Sequence, residues 1–282
     1  MGLIDFIDQH IADAQGEPVK IQELCESERQ NRNEDNRERL LSPSFAGMRV
    51  DSILVKILEM PDYLDPRNNL CIWARPTKLM AHAICKIQDQ LKTLAPHVWT
   101  TPVSSLHMTV LEIAHSQTPT DIESTINQLQ PCLPYLTNVG KHPVILGKPQ
   151  LSYDEGSVSV TFVPVGTTRR TYLHLRRDLA RVCQRNGVEV SSRYFTTSSH
   201  ITIARFLTTQ DLRGTQARED WIRKINDLNQ WLKHMYWPLE SERMTKNVGE
   251  WILGAESGLE IRIGRLWYGG GESILIGEPI EF

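Results

Sequence analysis

Cysteine is scarce in this sequence, and the few that occur are widely spaced. There are five, an odd number with no Cys-x-x-Cys pair among them: Cys25, Cys71, Cys85, Cys132 and Cys183. Disulfide frameworks and cysteine zinc sites need paired or closely spaced cysteines. The pattern therefore predicts free thiols, no metal site, and a reducing compartment, which we expect to be the cytoplasm, with the nucleus equally compatible.

The chain also lacks a long apolar run and a targeting signal at its start. No stretch approaches the ~20 consecutive apolar residues that cross a bilayer. Asp5 and Asp8 stand where a secretory signal carries positive charge. Residues 3–14 have the pattern of a short amphipathic helix, but its polar face is acidic, whereas helices that lie on membranes are usually rich in Lys and Arg. We expect no membrane partner.

Positive charge is not in excess either. The 282 residues carry 31 Lys and Arg against 34 Asp and Glu, which gives a net charge of −3. Proteins that hold a long nucleic acid neutralise many phosphates with Lys and Arg. The composition therefore argues against a long nucleic-acid duplex as partner, and it favours a small nucleotide or an RNA terminus if a nucleotide is bound.

One short motif occurs twice, and the rest of the chain is arranged around its two copies. The copies read L-H-M-T-V-L-E-I over residues 106–113 and S-H-I-T-I-A-R-F over residues 199–206. Both alternate as strands do. Because side chains alternate between the faces of a strand, each copy places one histidine and one threonine side by side, namely His107 with Thr109 and His200 with Thr202. Of nine histidines, only these two begin a His-x-[Ser/Thr] triplet.

Each copy closes a strand, helix, strand unit, which predicts an α+β fold. The first unit has a strand over 70–74 and a helix with the stripe Met80, Ile84, Ile87, Leu91 and Leu94. The second has a strand over 157–163 and a helix with the stripe Tyr172, Leu175, Leu179 and Val182. That second helix also carries six arginines, which we interpret as a solvated face, with a phosphate-facing patch as the alternative.

Outside the two units, the sequence predicts added segments. Residues 15–44 are polar and dense in charge, so we expect residues 1–47 to form a helical or flexible, solvated extension. The folded domain is expected over residues 48–282. Within it, residues 208–245 form a helical insertion with the stripe Trp221, Ile225, Leu228, Leu232 and Met235, and a strand meander with a glycine turn follows over 250–276.

Two histidines in matching surroundings suit acid and base chemistry on a phosphodiester. If the two units face each other across a cleft, one imidazole can accept a proton from the attacking group while the other donates one to the leaving oxygen. Thr109 and Thr202 would donate hydrogen bonds to phosphoryl oxygens. This chemistry needs no metal and no other cofactor.

The two motifs, H-M-T-V at 107–110 and H-I-T-I at 200–203, resemble those of the 2H phosphoesterase superfamily. That superfamily includes bacterial RNA 2′,5′-ligase-like enzymes and cyclic nucleotide phosphodiesterases. The resemblance covers roughly residues 69–278. It implies a bilobal α+β fold with two antiparallel sheets flanking a central cleft and helices on the outer faces. It also implies metal-independent chemistry on 2′,3′-cyclic phosphates or related nucleotide esters.

Further candidates for substrate contact are aromatic residues and one arginine. Trp73, Tyr194, Phe195 and Tyr268 are available to stack on a base, although packing in the core is the commoner role for such residues. Arg205 follows the second motif, but simple alternation puts it on the face opposite His200. Glu112 holds the same place in the first copy. A structural role is therefore favoured for both, unless the strands contain a bulge.

Two other functions remain open at the level of the sequence. The histidine pair could act on a non-phosphate metabolite, as in an isomerase or lyase, and a cleft lined mainly by apolar and aromatic groups would favour that function. Alternatively, the protein could be a non-catalytic nucleotide-binding module. Retained binding without turnover would favour the module.

Overall fold

The computed structural model of the chain describes residues 2–140, 142–193, 195–237 and 249–280. The helices are α1 (Leu3–Asp13), α2 (Pro18–Leu41), α3 (Ser52–Glu59), α4 (Lys78–Lys92), α5 (Pro119–Leu129), α6 (Leu133–Leu136), α7 (Tyr172–Arg185) and α8 (Thr215–Tyr236). The strands are β1 (Asn68–Ala74), β2 (Trp99–Thr100), β3 (Met108–Gln117), β4 (Ile145–Tyr153), β5 (Ser157–Pro164), β6 (Ser199–Arg205), β7 (Trp251–Ile252), β8 (Glu260–Gly264) and β9 (Glu272–Ile276). The fold is mixed α+β, as the sequence predicts.

All the strands belong to one curled antiparallel sheet in the order β7-β4-β5-β6-β3-β1-β8-β9, with the short β2 paired to β6. The family resemblance implies two antiparallel sheets flanking a cleft, whereas hydrogen bonding joins the described strands into one sheet. The join is narrow, because β3 and β6 pair only at Met108 and Ile201. Both residues directly follow the histidine of an H-x-T motif, so the two motifs meet where the two halves of the sheet meet.

The amphipathic helices pack where their stripes predict. The buried side of α4 includes Met80, Ile84, Ile87 and Leu91, and Thr77 caps its N-terminus by accepting a hydrogen bond from the amide of Met80. The buried side of α7 packs against β3 and against α1. The stripe predicted for α8 is wrong at its end, because Met235 is 49% exposed and the neighbouring Tyr236 is buried instead.

The charge-dense N-terminal segment is not solvated on all sides. It forms α2, whose Ile21, Cys25 and Leu40 are buried in the same core as the sheet. The Arg29 guanidinium is buried too and donates from Nη1 to the carbonyl of Lys148 over 2.7 Å. The expectation of a flexible or solvated segment is therefore wrong for this face of α2. The apolar residues of α2 are few and far apart, so the charged residues dominate the average composition of the segment. The domain boundary near residue 48 stays a prediction.

The predicted helical insertion contains α8, which lies against β4. Both polar atoms of the Asn229 amide bond the backbone of Leu151, with Oδ1 accepting over 2.6 Å and Nδ2 donating over 3.2 Å. The last part of the predicted insertion, residues 238–245, lies outside the described residues. In the described parts of the chain, we find no helix whose length and apolarity would let it cross a membrane.

Candidate active site

A cleft of about 830 Å³, including the space at its mouth, opens at the junction of the two halves of the sheet. The four motif residues His107, Thr109, His200 and Thr202 all line it. The two histidines are close enough that the charge of His200 contributes to lowering the pKa of His107. The structure therefore brings together the residues that the repeated motif singles out.

A bulge in β6 turns Arg205 into the same cleft. Thr202 and Ala204 pair with consecutive residues of β5, so Ile203 has no partner there. One extra residue in a strand shifts the alternation of every side chain after it. Arg205 therefore shares the cleft face with His200 and Thr202, and the structural role that simple alternation favours for it is corrected.

A matching bulge in β3 does the same for Glu112. Thr109 and Leu111 pair with consecutive residues of β1, which leaves Val110 without a partner. Glu112 consequently lines the cleft beside Thr109. Its carboxylate accepts a hydrogen bond from the amide of Arg193 over 2.9 Å, and burial raises the pKa of Glu112 above its usual range. The two motif copies thus place opposite charges at equivalent positions.

The ring of His107 is fixed from two sides. Its Nδ1 lies 2.7 Å from the carbonyl oxygen of Ser105, and a carbonyl only accepts, so Nδ1 carries the proton and Nε2 holds the lone pair of the neutral ring. The indole of Trp73 stacks on the imidazole with centroids 3.5 Å apart and an interplanar angle of 8°. Gly269, with φ of 89°, approaches Ser105 so closely that a Cβ at this glycine would lie 2.1 Å from the Cβ of Ser105.

Behind Trp73 lies a buried ion cluster. Arg75 and Arg262 place their guanidinium carbons 5.1 Å and 4.6 Å from the Trp73 ring centroid. Glu260 joins them, with both carboxylate oxygens 3.0 Å from Arg75 nitrogens and Oε2 3.6 Å from Arg262 Nη1. The imidazole thus rests on an aromatic ring that is itself backed by two cations and one anion.

His200 and Thr202 are held by hydroxyl groups of residues in or next to β6 and the strands paired with it. The hydroxyl of Ser198 lies 3.3 Å from Nδ1 of His200. Thr101 donates from Oγ1 to the carbonyl of Thr202 over 2.9 Å, and Ser159 Oγ lies 3.5 Å from Thr202 Oγ1. The second histidine therefore sits in a more polar setting than the first.

Both histidines are neutral at pH 7. Burial lowers the pKa of His107 to about 3, and the charges of Arg75, His200 and Arg262 also lower it. Burial lowers the pKa of His200 to about 4, and the charges of Arg32, Arg176 and Arg205 add to that effect. Desolvation and nearby cations both disfavour the protonated imidazole. An anion bound in the cleft would raise the pKa of both histidines, because negative charge favours the protonated imidazole.

The structure brings Tyr268 and Arg205 together at one wall of the cleft. The Tyr268 hydroxyl donates to Asp51 Oδ1 over 2.7 Å and accepts from Arg67 Nη2 over 3.2 Å. Arg205 Nη1 lies 3.3 Å from Asp51 Oδ2. Its Nε is buried without a hydrogen-bond partner among the described residues. Arg205 and Tyr268 thus both line the cleft, and their contact with a substrate stays a prediction.

The other aromatic candidates are placed differently. Trp73 is fully buried beneath His107 and does not line the cleft, so its ring supports the histidine and is not available to a base. Phe195 is 44% exposed, packs edge-on against Phe6 with centroids 5.9 Å apart, and does not line the cleft either. Tyr194 lies outside the described residues.

Several cleft residues are absent from the sequence-based candidates, and Arg176 and Trp267 are two that carry a charge or an aromatic ring. Arg176, counted among the solvated arginines of α7, is buried, lines the cleft and donates from Nε to the carbonyl of Val110 over 3.1 Å. Its place four residues after Tyr172, within the apolar stripe, was the available signal. Trp267 also lines the cleft, with the guanidinium carbon of Arg67 4.1 Å from its ring centroid.

Among the residues that the structure describes, no group of three or more His, Cys, Asp or Glu side chains is arranged to hold a metal ion.

Comparisons with known proteins define the fold alone. No family model matches the sequence, and no curated protein matches it. Among solved structures, the chain is similar to the crystal structure of a conserved protein of unknown function from Agrobacterium tumefaciens, with a TM-score of 0.55 and 11% identity. The match covers 86% of this chain and 98% of that chain. Nearly the whole of that protein therefore shares its architecture with this chain.

Proposed function

We propose that the protein is a metal-independent phosphodiesterase with the bilobal 2H phosphoesterase fold, which opens a 2′,3′-cyclic phosphate or a related small nucleotide or RNA-end phosphodiester. One observation carries the proposal. Two H-x-T motifs, 93 positions apart in the sequence, line a single cleft with both histidines and both threonines. A pair of imidazoles and a pair of hydroxyls is the set that acid and base chemistry on a phosphodiester requires.

The proposed reaction is a displacement at phosphorus by water. One imidazole takes a proton from the water through Nε2 as the new P–O bond forms. The other imidazole, protonated once the anionic substrate is bound, gives its proton to the ribose oxygen as the old P–O bond breaks. The products are a ribose hydroxyl and a phosphate monoester, and the two histidines end with exchanged protonation states. Thr109 and Thr202 donate to the non-bridging oxygens, where negative charge must be held.

The lining of the cleft supports a phosphodiester over a non-phosphate metabolite. Six serine and threonine side chains line it, together with the guanidinium groups of Arg176 and Arg205. Hydroxyl and guanidinium donors suit phosphoryl oxygens. The proposal therefore takes a small nucleotide or an RNA terminus as the substrate class.

A turnover assay tests this function. The four nucleoside 2′,3′-cyclic monophosphates are incubated with the protein in EDTA, and the products are resolved by chromatography. We expect conversion of at least one of them to a single 2′- or 3′-monophosphate, unaffected by the chelator, because the proposed acid and base are both imidazoles. Loss of turnover in EDTA with rescue by a divalent ion would contradict the mechanism. Absence of turnover with these four and with RNA cyclic-phosphate ends would contradict the function.

Anion binding should tighten as the pH falls. Because the pKa values of His107 and His200 are about 3 and about 4, neither ring is charged at neutral pH. A bound anion raises these values, so binding takes up a proton, and by linkage the affinity rises by up to about tenfold per pH unit for one proton taken up. The measurement is the Kd of sulfate, which keeps its charge, by calorimetry from pH 8 to pH 5. An affinity independent of pH over this range would show that neither histidine is protonated on binding.

A further inference from the structure

The N-terminal helix α2 runs beside the His200 half of the cleft. Glu28 of α2 accepts a hydrogen bond from the hydroxyl of Thr197, three residues before the catalytic candidate. Arg29 donates from Nη1 to the carbonyl of Thr161 over 3.4 Å, and Thr161 is the residue of β5 that pairs with His200. Two successive residues of α2 therefore contact the backbone and loop that position His200.

Arg32 lies one helical turn further on and faces the same side. It stands four residues after Glu28 and three after Arg29, and residues at these spacings are neighbours on a helix surface. Among the charges that lower the pKa of His200, that of Arg32 has the largest effect. Arg32 is not among the residues that line the cleft. The spacing from Glu28 and Arg29 and the effect of its charge on His200 place it outside the cleft on the His200 side, a position called the rim below.

Arg32 differs from the arginines inside the cleft because its guanidinium group has no bonding partner among the described residues. Its side chain is exposed and makes no hydrogen bond, ion pair or ring contact with any described residue. Arg205 is paired with Asp51, and Arg176 is bound to backbone carbonyls. An unpaired guanidinium at the rim of a cleft that holds one phosphate is suited to a second, since its planar set of donors matches phosphate oxygens.

We propose that Arg32 binds a second phosphate of the substrate, the group on O5′ of the ribose whose 2′,3′-cyclic phosphate lies between the two histidines. This inference rests on the proposed function and narrows its substrate class. A phosphate on O5′ is present in a 5′-phosphorylated mononucleotide and, as a diester, in the last nucleotide of an RNA chain. The α2 helix thereby becomes part of the substrate site.

The turnover test compares three substrates that differ only at O5′. They are adenosine 2′,3′-cyclic phosphate, its 5′-phosphorylated form, and the dinucleotide ApA ending in a 2′,3′-cyclic phosphate. We expect Arg32→Ala to lower kcat/KM for the two compounds with a 5′ phosphate by about 10- to 100-fold, the size of a hydrogen bond to a charged group. The unphosphorylated compound should lose at least about tenfold less, because the effect of Arg32 on the pKa of His200 is common to all three substrates and cancels in the comparison. Arg32→Lys should recover part of the loss.

The matched control is Arg37→Ala. Arg37 is on the same helix and half-exposed, and its Nη1 is 2.6 Å from Glu34 Oε1, so the control removes the same charge away from the rim. It should leave all three substrates unchanged. Equal loss of all three substrates in Arg32→Ala would assign Arg32 to the reacting phosphate and overturn the proposal, as would no loss at all. Loss confined to the dinucleotide would assign the phosphate to an RNA end.

A second experiment, which measures binding without turnover, distinguishes failure of the Arg32 site from failure of the proposed function. Calorimetry compares adenosine 3′,5′-bisphosphate with adenosine 3′-phosphate on the wild type and on Arg32→Ala. We expect the bisphosphate to bind about 10- to 100-fold more tightly and to lose that advantage in the variant. If this holds while no cyclic phosphate is turned over, the phosphodiesterase function fails and the Arg32 site stands. Turnover without any dependence on Arg32 in either arm refutes the Arg32 site alone.

Discussion

Replacing either cleft histidine by asparagine should lower kcat for cyclic phosphate opening by about 10²- to 10⁴-fold, the range that a positioned acid or base contributes. Asparagine is chosen because its side-chain amide can occupy the place of Nδ1. In His107→Asn that amide can still donate to the Ser105 carbonyl, which His107 Nδ1 contacts over 2.7 Å. What is lost is Nε2, the atom that the proposed reaction uses. The same substitution at His200 removes the second proton carrier.

The measurement is single-turnover kinetics with the preferred cyclic nucleotide, alongside thermal unfolding of each variant. His97→Asn is the matched control, because this histidine is exposed and pairs with Asp211 over 2.7 Å, away from the cleft. We expect the control to retain full activity. A His107→Asn or His200→Asn protein that stays folded and keeps a third or more of the turnover would remove that histidine from the mechanism.

Substituting Glu260 by glutamine should lower the free energy of unfolding by about 3–5 kcal/mol, the usual effect of removing one partner from a buried ion cluster. Glu260 and Arg262 are both buried, and Glu260 also joins Arg75 through two contacts of 3.0 Å. Glutamine keeps the shape but removes the carboxylate that contacts both guanidinium groups behind Trp73, and the charge of Glu272 then remains as a counter-charge for Arg262. The same change removes the anion that offsets the two cations, so the pKa of His107 should fall further.

Urea denaturation of the Glu260→Gln protein checks this effect, with Glu123→Gln as the control. Glu123 is exposed on α5, so its neutralisation should change the stability by less than about 0.5 kcal/mol. A Glu260→Gln protein within about 1 kcal/mol of the wild type, well below the cost of a broken buried pair, would show that the two arginines find water or other partners. In that case the cluster would not be a support for the histidine.

Much of the site could be predicted because it depends on short-range pattern. The period of two in each H-x-T strand fixes which residues share a face, and the stripe in α4 fixes which side is buried. The pairing of one strand with another depends on residues far apart in the sequence, so short-range pattern does not predict it. The skipped residues Val110 and Ile203 depend on the register against β1 and β5, which no property of β3 or β6 alone sets. The sequence alone therefore makes Arg205 only a weak candidate for substrate contact, because the bulge that turns it into the cleft depends on the neighbouring strand.

Average composition gives a wrong prediction of solvent exposure for α2 and for Arg176, where a few specific contacts decide burial. The α2 segment is dominated by charge, yet Ile21, Cys25 and Leu40 bury one side of it. Arg176 was grouped with its solvated neighbours, although its spacing from Tyr172 places it on the buried side of α7. Arg29 of α2 and Arg176 of α7 each bury a guanidinium group that donates to backbone carbonyls. Hydrophobic periodicity does not detect such an arrangement.

The single pairing of Met108 with Ile201 sets a geometric limit on how the protein can flex. Each histidine is one peptide unit from this pair, so the backbone spacing between them is held by strand-to-strand hydrogen bonding. Twisting of one half of the sheet against the other would turn about this point. The parts of each half that are farthest from this pair would then move through the largest arcs, while the two imidazoles kept their separation. Substrates of different length could thus be admitted at the rim without altering the geometry of the reacting centre.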